Sequence, residues 1–572
     1  MTYKQALFAI YDRRHALSHA RPFSASKLAQ GNAFTYRQGV LCVLRGYMVQ
    51  VSDLRSPSET LELDLSSTVC PKSETPSDLT DNLKLTMLYY CDSILALHVE
   101  TADPSNGGHI FAISTTNQPS KSSRVIRVVE IDSSSRLFVR HTSQHLYYGT
   151  HSGIGGDGHH KWEIFGVSLS QSPVAQTDRP LLLEDFHGSD IGSTVAFEIH
   201  DDHFYAVSNQ GTFEVEEVDW TSFYHCVRFP LNDPICAKLQ GNERVYRRQH
   251  AQGPIHDSWT DLSLQTSART NEILILESRR EWEQASSRQS RTFYTTKFDV
   301  GRNSSSRASS PADDAPRTQL LPENDLFVGM IDSTNSPNFM LTPSQYSWSH
   351  HPEFTSENVS PRSFILARTK FRAYNHSCNS FLDLVEDERC CNDPTKPPCL
   401  RLRVGSRREA SLDVPPLNFE GKIRLNDMDP VFEDHVQYRN SQINMWPPPA
   451  ARCPCSNRLH DILNPTLPLG PGQARTVTGI LDDRTLVLFI KSGRSYGASD
   501  DSALGTIVVM DFTRPWEEQD STPSRPARMS RVDSKMNHDS TSECDEKMAD
   551  DLPASHWAWT TGQDRICRSK MC

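Results

Sequence analysis

The stretch that decides the fold runs Thr194-Val-Ala-Phe-Glu-Ile-His-Asp-Asp-His-Phe-Tyr-Ala-Val-Ser-Asn-Gln-Gly-Thr-Phe-Glu-Val-Glu216, then resumes at Phe223-Tyr-His-Cys-Val-Arg-Phe229. Val195, Phe197 and Ile199 fall on one face of an extended segment, because side chains alternate along a strand. Asp201-Asp202 and Asn209-Gln-Gly interrupt the pattern with residues that favour turns. The spacing predicts four antiparallel strands in succession, at 194–199, 203–208, 212–216 and 223–229.

Working outward, the same pattern recurs. Toward the N-terminus it appears in Gly39-Val-Leu-Cys-Val-Leu, Tyr47-Met-Val-Gln-Val, Ser93-Ile-Leu-Ala-Leu-His-Val, Val125-Ile-Arg-Val-Val-Glu-Ile and Trp162-Glu-Ile-Phe-Gly-Val. Toward the C-terminus it appears in Val245-Tyr-Arg-Arg, Glu272-Ile-Leu-Ile-Leu, Ser380-Phe-Leu-Asp-Leu-Val, Leu400-Arg-Leu-Arg-Val, Thr485-Leu-Val-Leu-Phe-Ile and Thr506-Ile-Val-Val-Met. Four-stranded units recurring at this spacing predict an all-β, β-propeller-like fold of antiparallel blades. There is no Gly-His…Trp-Asp signature of a standard WD repeat, and Asp219-Trp220 stands in the reverse order.

The expected organisation is an N-terminal helix in 1–24, blades over 34–300, a flexible insertion at 301–360, remaining blades with a Pro-rich insertion over 361–516, and a disordered tail at 517–572. In the helix, Tyr3, Leu7, Ile10, Tyr11 and Leu17 lie near one face. Asp12-Arg-Arg is expected on the wet side, and Pro22 ends the helix.

The 572 residues supply ample chain for a core. Hydrophobic content of 37%, with 35 Pro, predicts that part of the length is disordered. The net charge of −12 argues against a nucleic-acid-binding surface and against an acidic membrane surface. No apolar run approaches a membrane span, so the expectation is an intracellular protein, cytoplasmic or nuclear. Cys42, Cys91 and Cys226 lie in strand-like runs, as small buried hydrophobes of a reducing compartment do.

Several constellations hint at chemistry. Gly493-Arg-Ser-Tyr-Gly matches the nucleophile elbow of hydrolases and has a strand before Ser495, but the residues after it lead into another strand instead of a helix. His200-Asp-Asp-His203 reads as a turn, and the histidines around Gly153–Gly158 as a surface loop. Cys378, Cys390, Cys391, Cys399, Cys453, Cys455 and His460 contain zinc-ligand residue types. Cys390-Cys391 are adjacent, however, and Cys453-Pro-Cys455 is tighter than the usual ligand pair, so no metal is assigned. No phosphate-cradling glycine loop is present, and no cofactor is expected. The segment from Val245 to Trp259 is the best candidate for binding. There Arg247, Arg248, His256, Asp257 and Trp259 combine arginine with aromatic side chains, as interface hot spots do.

Three segments resemble a family of filamentous-fungal F-box proteins. They are Tyr3-Lys-Gln-Ala-Leu-Phe-Ala-Ile-Tyr-Asp-Arg-Arg with Arg21-Pro-Phe-Ser-Ala, Val218-Asp-Trp-Thr-Ser-Phe-Tyr-His-Cys-Val-Arg-Phe-Pro-Leu, and Val245-Tyr-Arg-Arg-Gln-His with Asp257-Ser-Trp-Thr-Asp-Leu. The resemblance implies a β region that recruits a protein substrate. It also implies an F-box ahead of that region, docked to the Skp-type adaptor of a cullin ubiquitin ligase. This chain starts where an F-box would already have ended, so adaptor and cullin are expected partners only with an upstream F-box. The expectation is a non-enzymatic interaction module. A propeller hydrolase using Ser495 and a general scaffold are the alternatives.

Overall fold

A computed structural model describes residues 3–56, 60–66, 84–100, 108–116, 124–169, 180–210, 221–232, 243–249, 260–267, 270–282, 289–298, 350–352, 369–387, 390, 397–409, 438–440, 444–447, 454–467, 473–494, 503–514, 555–559 and 565–570. Helix α1 (Tyr3–Ser18) leads into β1 (Ser24–Gly31). Seven blades come after it. The first holds β2 (Ala33–Arg37), β3 (Val40–Arg45), β4 (Met48–Asp53) and β5 (Leu61–Asp64); the second β6 (Lys84–Cys91), β7 (Ile94–Glu100), β8 (His109–Ser114) and β9 (Val125–Glu130). The third holds β10 (Phe138–His141), β11 (His145–Ile154), β12 (His160–Ser168) and β13 (Leu181–Leu183); the fourth β14 (Val195–His200), β15 (His203–Ser208), β16 (Thr221–Pro230) and β17 (Glu243–Gln249). The fifth holds β18 (Asp261–Thr266), β19 (Ile273–Trp282), β20 (Gln289–Lys297) and β21 (His350–Pro352). In the sixth, β22 (Thr369–Asn375), β23 (Ser380–Asp387) and β24 (Cys399–Glu409) are joined by the short β25 (Tyr438–Asn440) and β26 (Asn444–Trp446). Helix α2 (Pro454–Leu463) precedes the seventh blade, made of β27 (Gln473–Leu481), β28 (Thr485–Arg494) and β29 (Gly505–Asp511). The fold is a seven-bladed β-propeller with four-stranded antiparallel blades.

The ring is closed by its N-terminus. Strand β1 pairs antiparallel with β29, from Ser24 against Asp511 to Gly31 against Gly505, and so supplies the fourth strand of the last blade. A hairpin of β30 (Ser555–Trp559) and β31 (Arg565–Lys570) adds to the other edge of β1. These strands fall within the expected tail, most of which lies outside the described residues. The insertion expected at 301–360 is likewise outside them, apart from β21.

Stacking of blades explains why the strand signal is so continuous. A middle strand is covered on both faces, so it buries every residue instead of alternate ones. In β7, Leu95, Leu97 and Val99 pack toward the first blade, with Cys42, Leu44 and Val49. Ile94 and Ala96 pack toward the third, with Leu146 and Tyr148. Between the third and fourth blades the interface is aromatic: Phe138 stacks on Phe197 at 3.9 Å, and Trp162 meets the same ring edge-on. Where two strands face each other, glycine makes room for an aromatic ring. A Cβ on Gly149 would sit 2.6 Å from the Phe138 ring, and one on Gly405 2.5 Å from Phe381.

In the opening stretch, 194–199 and 203–208 form the expected hairpin, with His200 opposite His203. The strand expected at 212–216 lies outside the described residues. The third strand is β16, and the fourth is β17, which sequence order alone had assigned to the next unit. Only hydrogen-bond pairing decides which blade an isolated strand joins.

Candidate interaction site

The first strands of the blades lie side by side around the axis, and their hairpin turns share one rim. Gln38-Gly39, Asp92-Ser93 and Asp201-Asp202 have positive φ at both positions, the geometry that matches the twist of a two-residue hairpin. Side chains link one blade's turn to the next. Gln38 donates to Asp92 Oδ1 at 3.1 Å and accepts from its backbone N–H; Asn271 donates to Asp201 at 3.2 Å; Asn375 donates to the Asp482 carbonyl at 2.9 Å. Tyr36 links the first blade to the seventh by donating to Asp482 Oδ2 at 2.7 Å. His200-Asp-Asp-His203 is thus a turn, and His200 points its Nε2 at the Asn271 carbonyl, 2.7 Å away.

Inside this rim, four blades each contribute one side chain to a polar network. Glu198 meets Arg37 through two contacts, 2.9 and 3.3 Å, and accepts from Tyr89 Oη at 2.9 Å. Arg140 approaches the same carboxylate to 4.0 Å, and both guanidiniums lie over the Tyr89 ring. Burial pushes the Glu198 carboxyl up, but the two arginines outweigh it and hold it below its ordinary range. His141, edge-on to Tyr89, is lowered by burial to about 4 and is neutral near pH 7. A cavity of about 320 Å³ opens beside the network, lined by Arg37, Glu198, His200, Tyr374, Asn375 and Asp482 among others. Its central charges are already paired, so it presents a polar floor, with Asp483 exposed in its lining.

Of the residues nominated from sequence, Arg247 is the one whose side chain is described. Arg247 is only 9% exposed. Its guanidinium binds Glu277 through Nε (3.1 and 3.2 Å) and Nη2 (2.6 Å), and Nη1 donates to the Asn209 carbonyl. Tyr224 Oη at 2.7 Å, Asn209 Nδ2 at 3.0 Å and Arg279 at 3.2 Å complete the shell around Glu277, which is fully buried. This cluster joins the fourth blade to the fifth, so Arg247 staples blades and is withdrawn from any open binding surface. Arg248 comes next in β17, opposite Ser222. His256, Asp257 and Trp259 lie outside the described residues.

An exposed apolar stripe lies on the first turns of α1, against the expected orientation, while Leu17 at the helix end is buried. Asp12 pairs with Arg514 at 2.9 Å and Arg13 with Asp483 at 3.3 Å, so the polar side faces the propeller. Ala16, Leu17 and Ala20 bury the end of the helix in the core shared by the sixth and seventh blades. Tyr3 (86% exposed), Leu7 (57%) and Tyr11 (45%) then repeat at one helical spacing on the free side, flanked by Phe8 and Ile10. Amphipathic periodicity finds such a stripe but cannot tell which side meets the rest of the fold.

Ser495 falls in the connection between β28 and β29, antiparallel neighbours, and lies outside the described residues. Among the described residues, Cys390, Cys399 and His460 are gathered within 4.8 Å of one another, a grouping that sequence spacing concealed. Cys42, Cys91 and Cys226 are buried as expected. No described helix is long and apolar enough to cross a membrane.

No family model and no curated protein matches the chain. Among solved structures, it is similar to the WD40 domain of SCAP from fission yeast, with 9% identity over 84% of each chain and a TM-score of 0.32. It is also similar to Drosophila Semaphorin 1a extracellular domains 1–2 (8% identity, 88% of each chain, TM-score 0.33) and to Kluyveromyces lactis Hsv2 (11% identity, 73% of this chain and 99% of that one, TM-score 0.29).

Proposed function

We propose that this chain is a non-enzymatic protein-interaction module of the cell interior, cytoplasmic or nuclear, which engages a protein partner through the outward face of α1. The observation that carries this reading is the exposure of Tyr3, Leu7, Phe8, Ile10 and Tyr11 together on a helix whose polar side is tied to the propeller. Five large apolar side chains left in water on one short helix mark an association surface. A helix presented this way fits an apolar groove on its partner.

The resemblance to filamentous-fungal F-box proteins supports a finer reading. In that reading the propeller holds a protein substrate, and adaptor and cullin join only through an F-box upstream of this chain. The test is affinity purification with mass spectrometry on the native protein, on this chain and on a Leu7→Glu/Phe8→Glu/Tyr11→Glu variant, with titration of purified adaptor afterwards. Partners retained by this chain and lost from the variant support the α1 reading. Adaptor and cullin recovered with the native protein support the finer one. If the variant retains every partner, the α1 reading falls; if adaptor and cullin never associate with any form, the ubiquitin-ligase reading falls.

A further inference from the structure

Two cysteines of one hairpin and a histidine distant from them in sequence meet beside the sixth blade. Cys390 lies just beyond Asp387, the last residue of β23, and Cys399 opens β24 in register with that same Asp387. The two thiols therefore stand on opposite legs of one hairpin. His460 arrives from α2, and the ligating atoms of all three lie within 4.8 Å of one another. A tetrahedral zinc with Zn–S of about 2.3 Å holds its ligand atoms about 3.5–4 Å apart, a closure within reach of side-chain rotation. Cys390 and Cys399 are 4% and 6% exposed, while the His460 side chain keeps 21% of its surface and leaves an entry path.

Contacts of the neighbouring residues hold the positions. Asn464, one turn after His460, donates to the His460 carbonyl at 2.9 Å. It also brackets the backbone of Leu400, the neighbour of Cys399, accepting from its N–H at 2.7 Å and donating to its carbonyl at 3.1 Å. Arg475 ties Asn464 to the Pro398 carbonyl. Leu459, Ile462 and Leu463 sink the other side of α2 into the core. The helix and the hairpin are thus docked to each other, and this docking brings His460 to the cysteines.

We infer that Cys390, Cys399 and His460 bind a structural zinc ion that fastens α2 to the β23–β24 hairpin. Two thiolates with one imidazole suit zinc and ill suit calcium or magnesium, which take oxygen ligands. Binding releases the two thiol protons and forms two Zn–S bonds and one Zn–N bond, with no change of oxidation state. The fourth ligand is not among the described side chains. A water can fill the fourth position.

The test is metal analysis of the full chain purified under reducing conditions, alongside Cys399→Ser, His460→Ala and Cys378→Ser. The wild type and Cys378→Ser, which alters a buried cysteine outside the cluster, should carry one zinc per chain; the other two should lose it. Asn464→Ala should weaken zinc affinity by about tenfold to a hundredfold, because it orients a ligand without touching the metal. Should a variant fail to fold, the wild type still decides. Cobalt substitution should give thiolate charge-transfer absorption, and Cys390 and Cys399 should resist alkylation until a chelator is added. Absence of zinc from the wild type together with no uptake of added zinc would overturn the inference. So would zinc retained by both Cys399→Ser and His460→Ala.

Discussion

Replacing Glu277 by glutamine tests how the fourth and fifth blades are held together. Glu277 is fully buried and faces Arg247, whose side chain is 6% exposed, and Arg279, at 1%. Burial pushes the Glu277 carboxyl up, but Arg247 first, then Arg279 and the hydrogen bonds from Arg247 and Tyr224, bring it down to about 2 from an ordinary 4.5. That difference corresponds to about 3 kcal/mol favouring the charged form in the folded state. Glutamine keeps the volume and an acceptor oxygen but leaves two buried guanidiniums without their carboxylate. Removing one partner of such a pair costs about 3–5 kcal/mol, so both routes give the same size of effect. The sign with pH is that of a carboxyl whose folded pKa is depressed. Its contribution is complete above about pH 4.5 and is lost as the pH falls toward about 2.

Urea unfolding at about pH 7 and about pH 3.5, for wild type and Glu277→Gln, reads this directly, because the gap between the two should narrow at the lower pH. Arg247→Met should cost less than Glu277→Gln, since Glu277 keeps Arg279, Tyr224 and Asn209. The double variant should cost less than the two single changes together. A Glu277→Gln protein within about 1 kcal/mol of wild type, or a gap indifferent to pH, would refute the reasoning that this pair acts through charge.

Deleting Ser24–Gly31 removes the strand that closes the ring and bares the edge of β29; limited proteolysis should then cut the seventh blade first, and an unchanged pattern would show that β1 is dispensable. On α1, Leu7→Glu and Tyr11→Glu should move the unfolding midpoint by no more than about 0.5 kcal/mol while weakening partner binding, because those side chains touch water in the isolated chain. A large loss of stability would mean that the face is already covered. Gly405→Ala should destabilise by about 1–3 kcal/mol, since its Cβ would meet the Phe381 ring; pairing it with Phe381→Leu should recover part of the loss, as calorimetry can show.

How much was legible in the sequence differs from residue to residue. Ile94 to Val99 and Phe204 to Ser208 announce strands by themselves, because every position but His98 and Ser208 is apolar or β-favouring and turn residues stand on either side. Asp201-Asp202 announces its turn for the same local reason. The helix from Tyr3 was readable as a helix, but its outward side was not. Which face is buried depends on Asp483 and Arg514, which come from the other end of the chain.

By itself, then, the sequence determined the local conformations and, through their repetition, the antiparallel propeller class. Backbone preference, period-2 patterning and turn chemistry all act over a few residues. Tertiary structure alone decided that β1 closes the last blade, that β17 belongs to the fourth, and that Arg247 is spent on Glu277 inside an interface. It alone brought Cys390 and Cys399 to His460. Each of these depends on a partner distant along the chain. Charge and thiol chemistry act through space, over a few ångströms, and no spacing along the chain encodes that distance.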